Sequence, residues 1–184
     1  MSLKELTAEK HKAAESTRFM QAVFDKTLPM SIWIDYTYQK YSWYRVIETR
    51  ARALGLLENL PSIERADLIL ADYEEMTKDQ EERNYLKLET IGYCNHVRDL
   101  TDPNAVLAHL YTWHMGDMFG GQMIKKIIEA PHRHLEFENA KDLMFVLRGM
   151  LDDSMADEAN IAFDWAIKIL GTYDSDLEQD RSTS

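Results

Sequence analysis

Apolar residues recur every three or four positions along most of the chain, whereas alternation with a period of two is scarce. This periodicity predicts an all-α protein. Prolines at positions 29, 61 and 131 interrupt the pattern and separate the predicted helices. We expect helices over residues 3–24, 31–57, 62–77, 81–98, 103–130, 138–152 and 154–171.

Several of the predicted helix ends carry recognisable capping signals. Ser2 and Glu5 have the spacing of a capping box, and Asp102 precedes a proline at the first position of the fifth helix. Gly171 is a natural C-terminal cap. We therefore predict one helical domain over residues 1–171 and an acidic, mobile tail over residues 172–184.

The predicted helix over residues 103–130 contains three of the seven glycines of the chain, at positions 116, 120 and 121. Each glycine inside a helix costs roughly 1 kcal/mol relative to alanine, so their presence needs a compensating role. Two roles remain open: close approach of a flat ligand, or tight packing against another helix. Asp117 lies within the same apolar run, where its charge needs solvent or a hydrogen-bond network.

Composition narrows the classes of function. The length of 184 residues fits one domain, and the single cysteine, Cys94, excludes an internal disulfide and a cysteine-only zinc site. We interpret Cys94 as a buried core residue of a protein from a reducing cytosol. No run approaches the roughly 20 apolar residues of a membrane span, so we expect a soluble, cytoplasmic protein. The net charge of −11 argues against binding to nucleic acids and anionic membranes.

Histidine offers the candidate metal ligands. His11 shares a helix face with Lys4, Thr7 and Glu15, where small neighbours leave room for a metal ion or a flat cofactor. The alternative is an ordinary histidine at the surface or core edge. His132 and His134 have alternate spacing after Pro131, and without a third ligand nearby we interpret them as loop residues.

Two segments together resemble the heme oxygenase family. The segment Gly116-Asp117-Met118-Phe119-Gly120-Gly121-Gln122 resembles the distal-helix signature Gly-Asp-x-x-Gly-Gly-Gln, and Lys125-Lys126 follow it. The segment with Lys10-His11, Ala14-Glu15 and Phe19-Met20 resembles the proximal helix. The resemblance covers nearly the whole chain. It implies a single-domain helical bundle that holds heme between the first helix and a kinked, glycine-rich distal helix.

The resemblance also implies roles for individual residues. His11 would be the proximal ligand of the heme iron, and Asp117 would be the catalytic residue, holding ordered water that supplies a proton. Gly116, Gly120 and Gly121 would line the distal face. The other residues expected in the heme pocket are Lys4, Thr7, Glu15, Met20, Tyr41, Tyr111, Arg148 and Phe163.

The implied activity is cleavage of heme at the α-meso carbon to biliverdin, Fe2+ and CO, with O2 and reducing equivalents. Heme is then both cofactor and substrate. The resemblance to soluble bacterial, plastid and phage members implies ferredoxin as electron donor, bilin synthesis as destination and a bilin reductase as a further partner. The expected ferredoxin-docking patch comprises Lys4, Lys10, Lys12, Lys125 and Lys126.

Two alternatives to this enzyme remain open. They are a non-degrading heme carrier or sensor with the same fold, and a heme-free, thiaminase-like helical enzyme.

The chain departs from the animal members of the family at three positions. Ala8 replaces a propionate-facing lysine, while Trp113 and His114 replace an arginine and a tyrosine just before the distal glycines. We therefore expect the outer part of the distal water network to differ.

Overall fold

The computed structural model describes residues 1–81 and 84–182, the last three of them by their backbone alone. Within these ranges the secondary structure is entirely helical, as predicted. No described helix combines the length and the apolar character needed to cross a bilayer. The predicted helix over 81–98 includes residues 82 and 83, which lie outside the described residues.

The helices follow one another through short connections. They are α1 (Leu3–Glu15), α2 (Arg18–Phe24), α3 (Met30–Ala53), α4 (Ala66–Thr77), α5 (Leu88–Asp99), α6 (Pro103–Leu110), α7 (Gly116–Phe119), α8 (Gly121–Ile127), α9 (Ala140–Met150), α10 (Ala156–Gly171) and α11 (Asp174–Ser182). A π-helical turn (Tyr111–Met115) joins α6 to α7, and 3-10 turns cover Arg133–Leu135 and Asp153–Met155.

The first predicted helix is divided in two. Its start is confirmed, because the Ser2 and Glu5 side chains form the expected reciprocal capping box. The prediction of one continuous helix over 3–24 is wrong, since Thr17 adopts an extended conformation and its hydroxyl accepts a hydrogen bond from the Met20 N–H. Thr17 is thus the N-cap of α2.

The start of α4 is fixed by a residue of another helix. We predicted a start at residue 62, but Ser62 has a φ of 64° and the helix begins only at Ala66. The Glu48 carboxylate of α3 accepts hydrogen bonds from the backbone N–H groups of Arg65, at 2.5 Å, and Ala66, at 3.1 Å. An anion at a helix N-terminus satisfies donors that have no partner within the helix.

The long helix predicted over 103–130 is interrupted at the glycine segment. The π-helical turn ends immediately before Gly116, a second break at Gly120 separates α7 from α8, and the last helical residue is Ile127. π-helical turns insert one extra residue into a helix and often lie at functional sites.

The core surrounds α3, which packs against α4, α5 and α6, while α10 packs against α1, α5 and α6. Among the described residues, the five largest fully buried side chains are aromatic: Trp43, Tyr44, Tyr93, Tyr173 and Phe19. Phe19 of α2 contacts the rings of Tyr36 and Tyr173. Phe19 therefore connects α3 with the carboxy-terminal segment.

The described part of the predicted mobile tail is packed against the domain. Tyr173 and Leu177 are buried, and the Tyr173 hydroxyl donates to Asp35 Oδ2 at 2.7 Å. Arg18 of α2 forms an ion pair with Glu178 of α11. These contacts join residues far apart in sequence, and the mobility of the tail stays a prediction. Residues 183 and 184 lie outside the described residues.

Two helical glycines distinguish close packing from free space. A Cβ on Gly92 would lie 2.9 Å from Trp165 Cη2, whereas a Cβ on Gly149 would meet no atom within 4 Å. We expect Gly92→Ala to lower the free energy of unfolding by about 1–3 kcal/mol, because a rigid indole must move. The control Gly149→Ala should raise it by up to about 1 kcal/mol. Urea denaturation would measure both, and an unchanged Gly92→Ala midpoint would contradict this packing.

Candidate functional site

The candidate proximal face lies on α1. The His11 side chain is 55% exposed, the Glu15 carboxylate lies 3.7 Å from its Nδ1, and the Phe163 ring meets the imidazole edge-on at 5.6 Å. One turn earlier, the buried Thr7 hydroxyl donates to Leu3 O at 2.9 Å. Its oxygen lies 3.1 Å from the Tyr111 hydroxyl, which therefore donates to Thr7.

The three distal glycines divide between two faces of the helix. Gly116 and Gly120 lie on an exposed face together with Phe119 and Met123. A Cβ on Gly116 would meet nothing within 4 Å, and one on Gly120 would meet only the Gly116 carbonyl oxygen, at 3.3 Å. This face therefore presents bare backbone to a possible ligand.

Gly121 lies on the opposite, buried face. A Cβ there would come within 2.9 Å of Leu135 Cδ2, and the Asp117 Cβ lies 3.6 Å away. The structure thus accounts for Gly121 by packing against the 3-10 turn and does not bring it to the exposed face. Of the three predicted distal glycines, Gly116 and Gly120 therefore lie on the exposed face and Gly121 does not.

Two contacts link the amino-terminal helices to the distal segment. The Thr7–Tyr111 hydrogen bond joins α1 to the π-helical turn, and α2 packs against α8. His11 lies between Thr7 and α2 in the sequence. Gly116 and Gly120 lie between Tyr111 and α8, so the predicted proximal and distal residues lie between the same two contacts.

Asp117 is buried and forms an ion pair with α3. Its Oδ1 and Oδ2 lie 3.0 and 2.8 Å from Lys40 Nζ, and the Tyr44 hydroxyl donates to Oδ2 at 2.5 Å. Burial by itself would raise the pKa of Asp117, but the Lys40 charge, with the hydrogen bonds from Lys40 and Tyr44, holds that pKa below its ordinary value. The carboxylate is therefore an anion near neutral pH.

Sequence analysis missed this buried polar network. Its members on α3 are Tyr36, Lys40, Tyr44 and Glu48, which recur every four residues and are all buried. Glu48 accepts from His114 Nε2 at 2.9 Å, and the His114 ring lies 4.5 Å from that of Tyr44. The signal that could have revealed the network was the presence of Lys40 and Glu48 on the aromatic face of α3. Unpaired charges are not tolerated in such an apolar environment.

His134 extends the network toward the surface. Its Nδ1 and the Asp72 Oδ2 are 2.7 Å apart, and Asp72 also accepts from Arg133 at 2.8 Å. Burial, followed by the Lys40 charge, lowers the pKa of His134 and keeps the ring neutral. We predicted a loop residue, and the structure places His134 in a 3-10 turn between helices with its side chain buried.

A second histidine cluster has the spacing of a metal site but is explained by hydrogen bonds. Ligand atoms of His96, His109 and Glu158 lie within 4.8 Å of one another. The Trp113 indole can only donate, to the Tyr93 hydroxyl at 2.7 Å, so Tyr93 donates onward to His109 Nδ1 at 2.6 Å. His109 then carries its proton on Nε2, which donates to Glu158 at 2.9 Å.

The other predicted pocket residues occupy varied positions. The exposed Arg148 guanidinium lies 5.3 Å from the centre of the Phe119 ring, beside the glycine face. Lys4 is exposed on α1, while Met20 and Tyr41 are half-buried at the edge of the core. Cys94 is buried, and burial raises the pKa of its thiol to about 11, as expected for a core residue.

Comparisons with known proteins relate the chain to heme oxygenases. The chain is 25% identical over 167 residues to heme oxygenase of Guillardia theta, covering 85% of the chain and 68% of that protein. It spans 46–68% of the length of five curated relatives that it matches.

The fold matches solved structures over most of its length. Heme oxygenase-1 from the cyanobacterium Synechocystis sp. PCC6803, in complex with heme, superposes with a TM-score of 0.87 at 21% identity, over 98% of this chain and 94% of that one. Heme oxygenase-2 from the same organism, in complex with heme and NO, gives 0.83 at 20% identity, over 97% and 86%. The sequence model of the family described as heme oxygenase matches residues 1–147, and the chain belongs to the heme oxygenase family.

Proposed function

We propose that this chain is a heme oxygenase that uses O2 and reducing equivalents to cleave heme at the α-meso carbon, giving biliverdin, Fe2+ and CO. The observation that supports it most directly is that exposed His11 and the bare backbone of Gly116 and Gly120 lie between the same two contacts of the amino-terminal helices with the distal segment. We assign the heme slot to the space between them, where a planar ligand would meet the imidazole on one side and, on the other, a helix backbone that lacks Cβ atoms at Gly116 and Gly120.

The residues around His11 suit a heme iron. Glu15 lies beside Nδ1, and a partner at that nitrogen leaves the other nitrogen of a neutral imidazole for the metal. Phe163 limits rotation of the ring from the other side. Bound heme would supply an iron centre able to take up O2, and the protein would supply the orientation.

The rim of the slot suits the polar edge of the same ligand. Lys4 and Arg148 are exposed cations on α1 and α9, and we assign them to the heme propionates. The Thr7–Tyr111 pair closes one end of the slot. Met20 and Tyr41 complete its edge in this proposal.

Asp117 lies in the same helical turn as Gly116 and Gly120, on the side facing α3. Its side chain retains 12% exposure, which gives water limited access to the carboxylate. We assign it the role of holding a water that delivers a proton at the distal face. The fixed negative charge makes it a strong acceptor for such a water.

The proposal extends to ferredoxin as electron donor and to bilin synthesis as destination of the product. The supporting feature is the pair of lysines on α8, which contains no acidic residue, set against the net charge of −11; the three lysines of α1 are balanced by three glutamates. Lys10 is already paired with Asp164 at 2.6 Å, so Lys12 and Lys126, which are exposed, would contribute more to docking.

A heme carrier of the same fold is the second candidate, because both Asp117 oxygens already have protein partners. The heme-free cysteine enzyme lacks support, since the Cys94 thiol is buried and its raised pKa leaves little thiolate at neutral pH.

Turnover distinguishes the enzyme from the carrier. With ferredoxin, its reductase and NADPH in air, and catalase to remove free peroxide, we expect the heme absorption band to vanish and α-biliverdin to elute on chromatography. A parallel reaction with ascorbate tests the chemistry without ferredoxin. Asp117→Asn should bind heme and lose about 100-fold or more in rate. An intact heme band in both wild-type reactions would refute the enzyme proposal.

His11 can be tested by ligand replacement. We expect His11→Ala to change the spin-state spectrum of the ferric heme complex, because the iron loses its proximal nitrogen, and added imidazole to restore the spectrum. His132→Ala is the control, since His132 is also partly exposed but lies outside the slot. A spectrum unaffected by His11→Ala would mean that another residue binds the iron.

The bare helix face can be tested with a single methyl group. Gly116→Ala has free space in the protein alone, so we expect its unfolding free energy to hold or rise by up to about 1 kcal/mol. Its heme affinity should fall at least tenfold, because the methyl group occupies the slot. Gly149→Ala, equally unobstructed but on α9, should leave affinity unchanged. Equal affinities for the two variants would place the ligand elsewhere.

A further inference from the structure

Lys40 is a buried charge on the helix facing the distal segment. Only 5% of its side chain is exposed, and its ammonium group touches both oxygens of Asp117. The same ammonium lies 5.2 Å from the centre of the Tyr44 ring, whose hydroxyl donates to the same carboxylate. Lys40 thus faces the carboxylate directly from α3.

The other ionisable groups near Asp117 do not supply this positive charge in the wild-type chain. Tyr36 and Tyr44 on α3 remain neutral, since burial raises the pKa of each. His134 is neutral because burial lowers its pKa. The Asp117 carboxylate interacts electrostatically with Arg65, but the Arg65 guanidinium donates its hydrogen bonds to the carbonyl oxygens of Glu64, Ser62 and Glu136.

Geometry and charge lead to one inference, which rests on the proposed function. We propose that Lys40 is a positioning residue that keeps Asp117 ionised and holds its carboxylate against α3. A water at the distal face would then meet a hydrogen-bond acceptor whose charge and position are both fixed. Without Lys40, burial favours the neutral acid. A protonated Asp117 would be a weaker acceptor and would present an O–H group to the water.

The charge role is tested first on the heme-free protein, by urea unfolding of Lys40→Met between pH 4 and 8. In the wild type, the lowered pKa of Asp117 contributes stability above the unfolded-state pKa, and this is lost only as the pH falls through the folded-state value. In Lys40→Met the pKa of Asp117 should rise. Stability should then fall as the pH rises, with a tenfold change in the folding equilibrium, about 1.4 kcal/mol, per pH unit up to the new pKa.

Matched variants test whether Asp117 is the source of this decrease in unfolding free energy with rising pH, here called the slope. The double variant Lys40→Met/Asp117→Asn should lack it, and Lys40→Arg should restore wild-type behaviour. Lys10→Met removes a lysine from an exposed pair with Asp164, whose carboxylate stays hydrated, so the slope should not appear. Identical slopes in Lys40→Met and the double variant would overturn the inference.

The wild-type chain provides a second test that does not depend on Lys40→Met folding. In 13C NMR of labelled aspartate, the Asp117 carboxyl resonance is identified by its absence from Asp117→Asn. A titration midpoint below the ordinary value of about 3.9 supports the inference, and one above about 5 contradicts it.

Heme turnover then connects the charge to function. Lys40→Met should bind heme but form biliverdin at least tenfold more slowly at neutral pH with an altered pH profile, and Lys40→Arg should recover most of the rate. If the wild type degrades heme and Lys40→Met does so equally well, the positioning role fails while the proposed function stands. If the wild type does not degrade heme, the proposed function fails, and with it the positioning role in turnover. The slope and the NMR midpoint then still decide the charge role.

Discussion

The ion pair between Asp117 and Lys40 is the interaction on which the arrangement of the distal segment depends. Removing two charges from water is costly, and breaking such a pair by deleting one partner typically costs about 3–5 kcal/mol. Lys40 Nζ spans both carboxylate oxygens and Tyr44 adds a third contact, so the pair fixes α7 to one position along α3. These polar contacts lie within an aromatic core. Apolar packing alone would specify the position of α7 along α3 less well.

With Asp117 held against α3, the two sides of the distal segment have separate functions. Asp117 and Gly121 occupy the buried side, where Gly121 permits contact with Leu135. Gly116 and Gly120 are thereby left on the exposed side, where a Cβ atom on either would meet no other side chain within 4 Å. One short segment thus combines a packing glycine, an exposed pair of glycines and the carboxylate. Glycine lowers helix stability at all three positions. On the buried side this cost is offset by the close packing of Gly121 against Leu135, and on the exposed side it leaves the backbone of Gly116 and Gly120 accessible.

Sequence could predict what local chemistry decides. Helical periodicity, the Ser2 capping box and the two family motifs all depend on residues a few positions apart. The break before α2 was also readable, since Thr17 is a good N-cap residue, but the apolar stripe obscured it. The start of α4 was not readable, because Glu48 of another helix provides its cap. The burial of Leu177 likewise depends on distant residues, and an acidic composition gave no indication of it.

The two residues just before the distal glycines do not provide a cation for Asp117. The Trp113 indole donates to Tyr93, and the His114 imidazole donates to Glu48, so both side chains are committed to the core. Lys40 is then the cation that bridges the two Asp117 oxygens from a neighbouring helix. A cation one turn away on the distal helix would move together with Asp117. Lys40 would not, so any displacement of α7 relative to α3 changes the distance between the charges, and with it the proton affinity of Asp117. In this chain, the position of the distal helix and the charge of its carboxylate are therefore physically coupled.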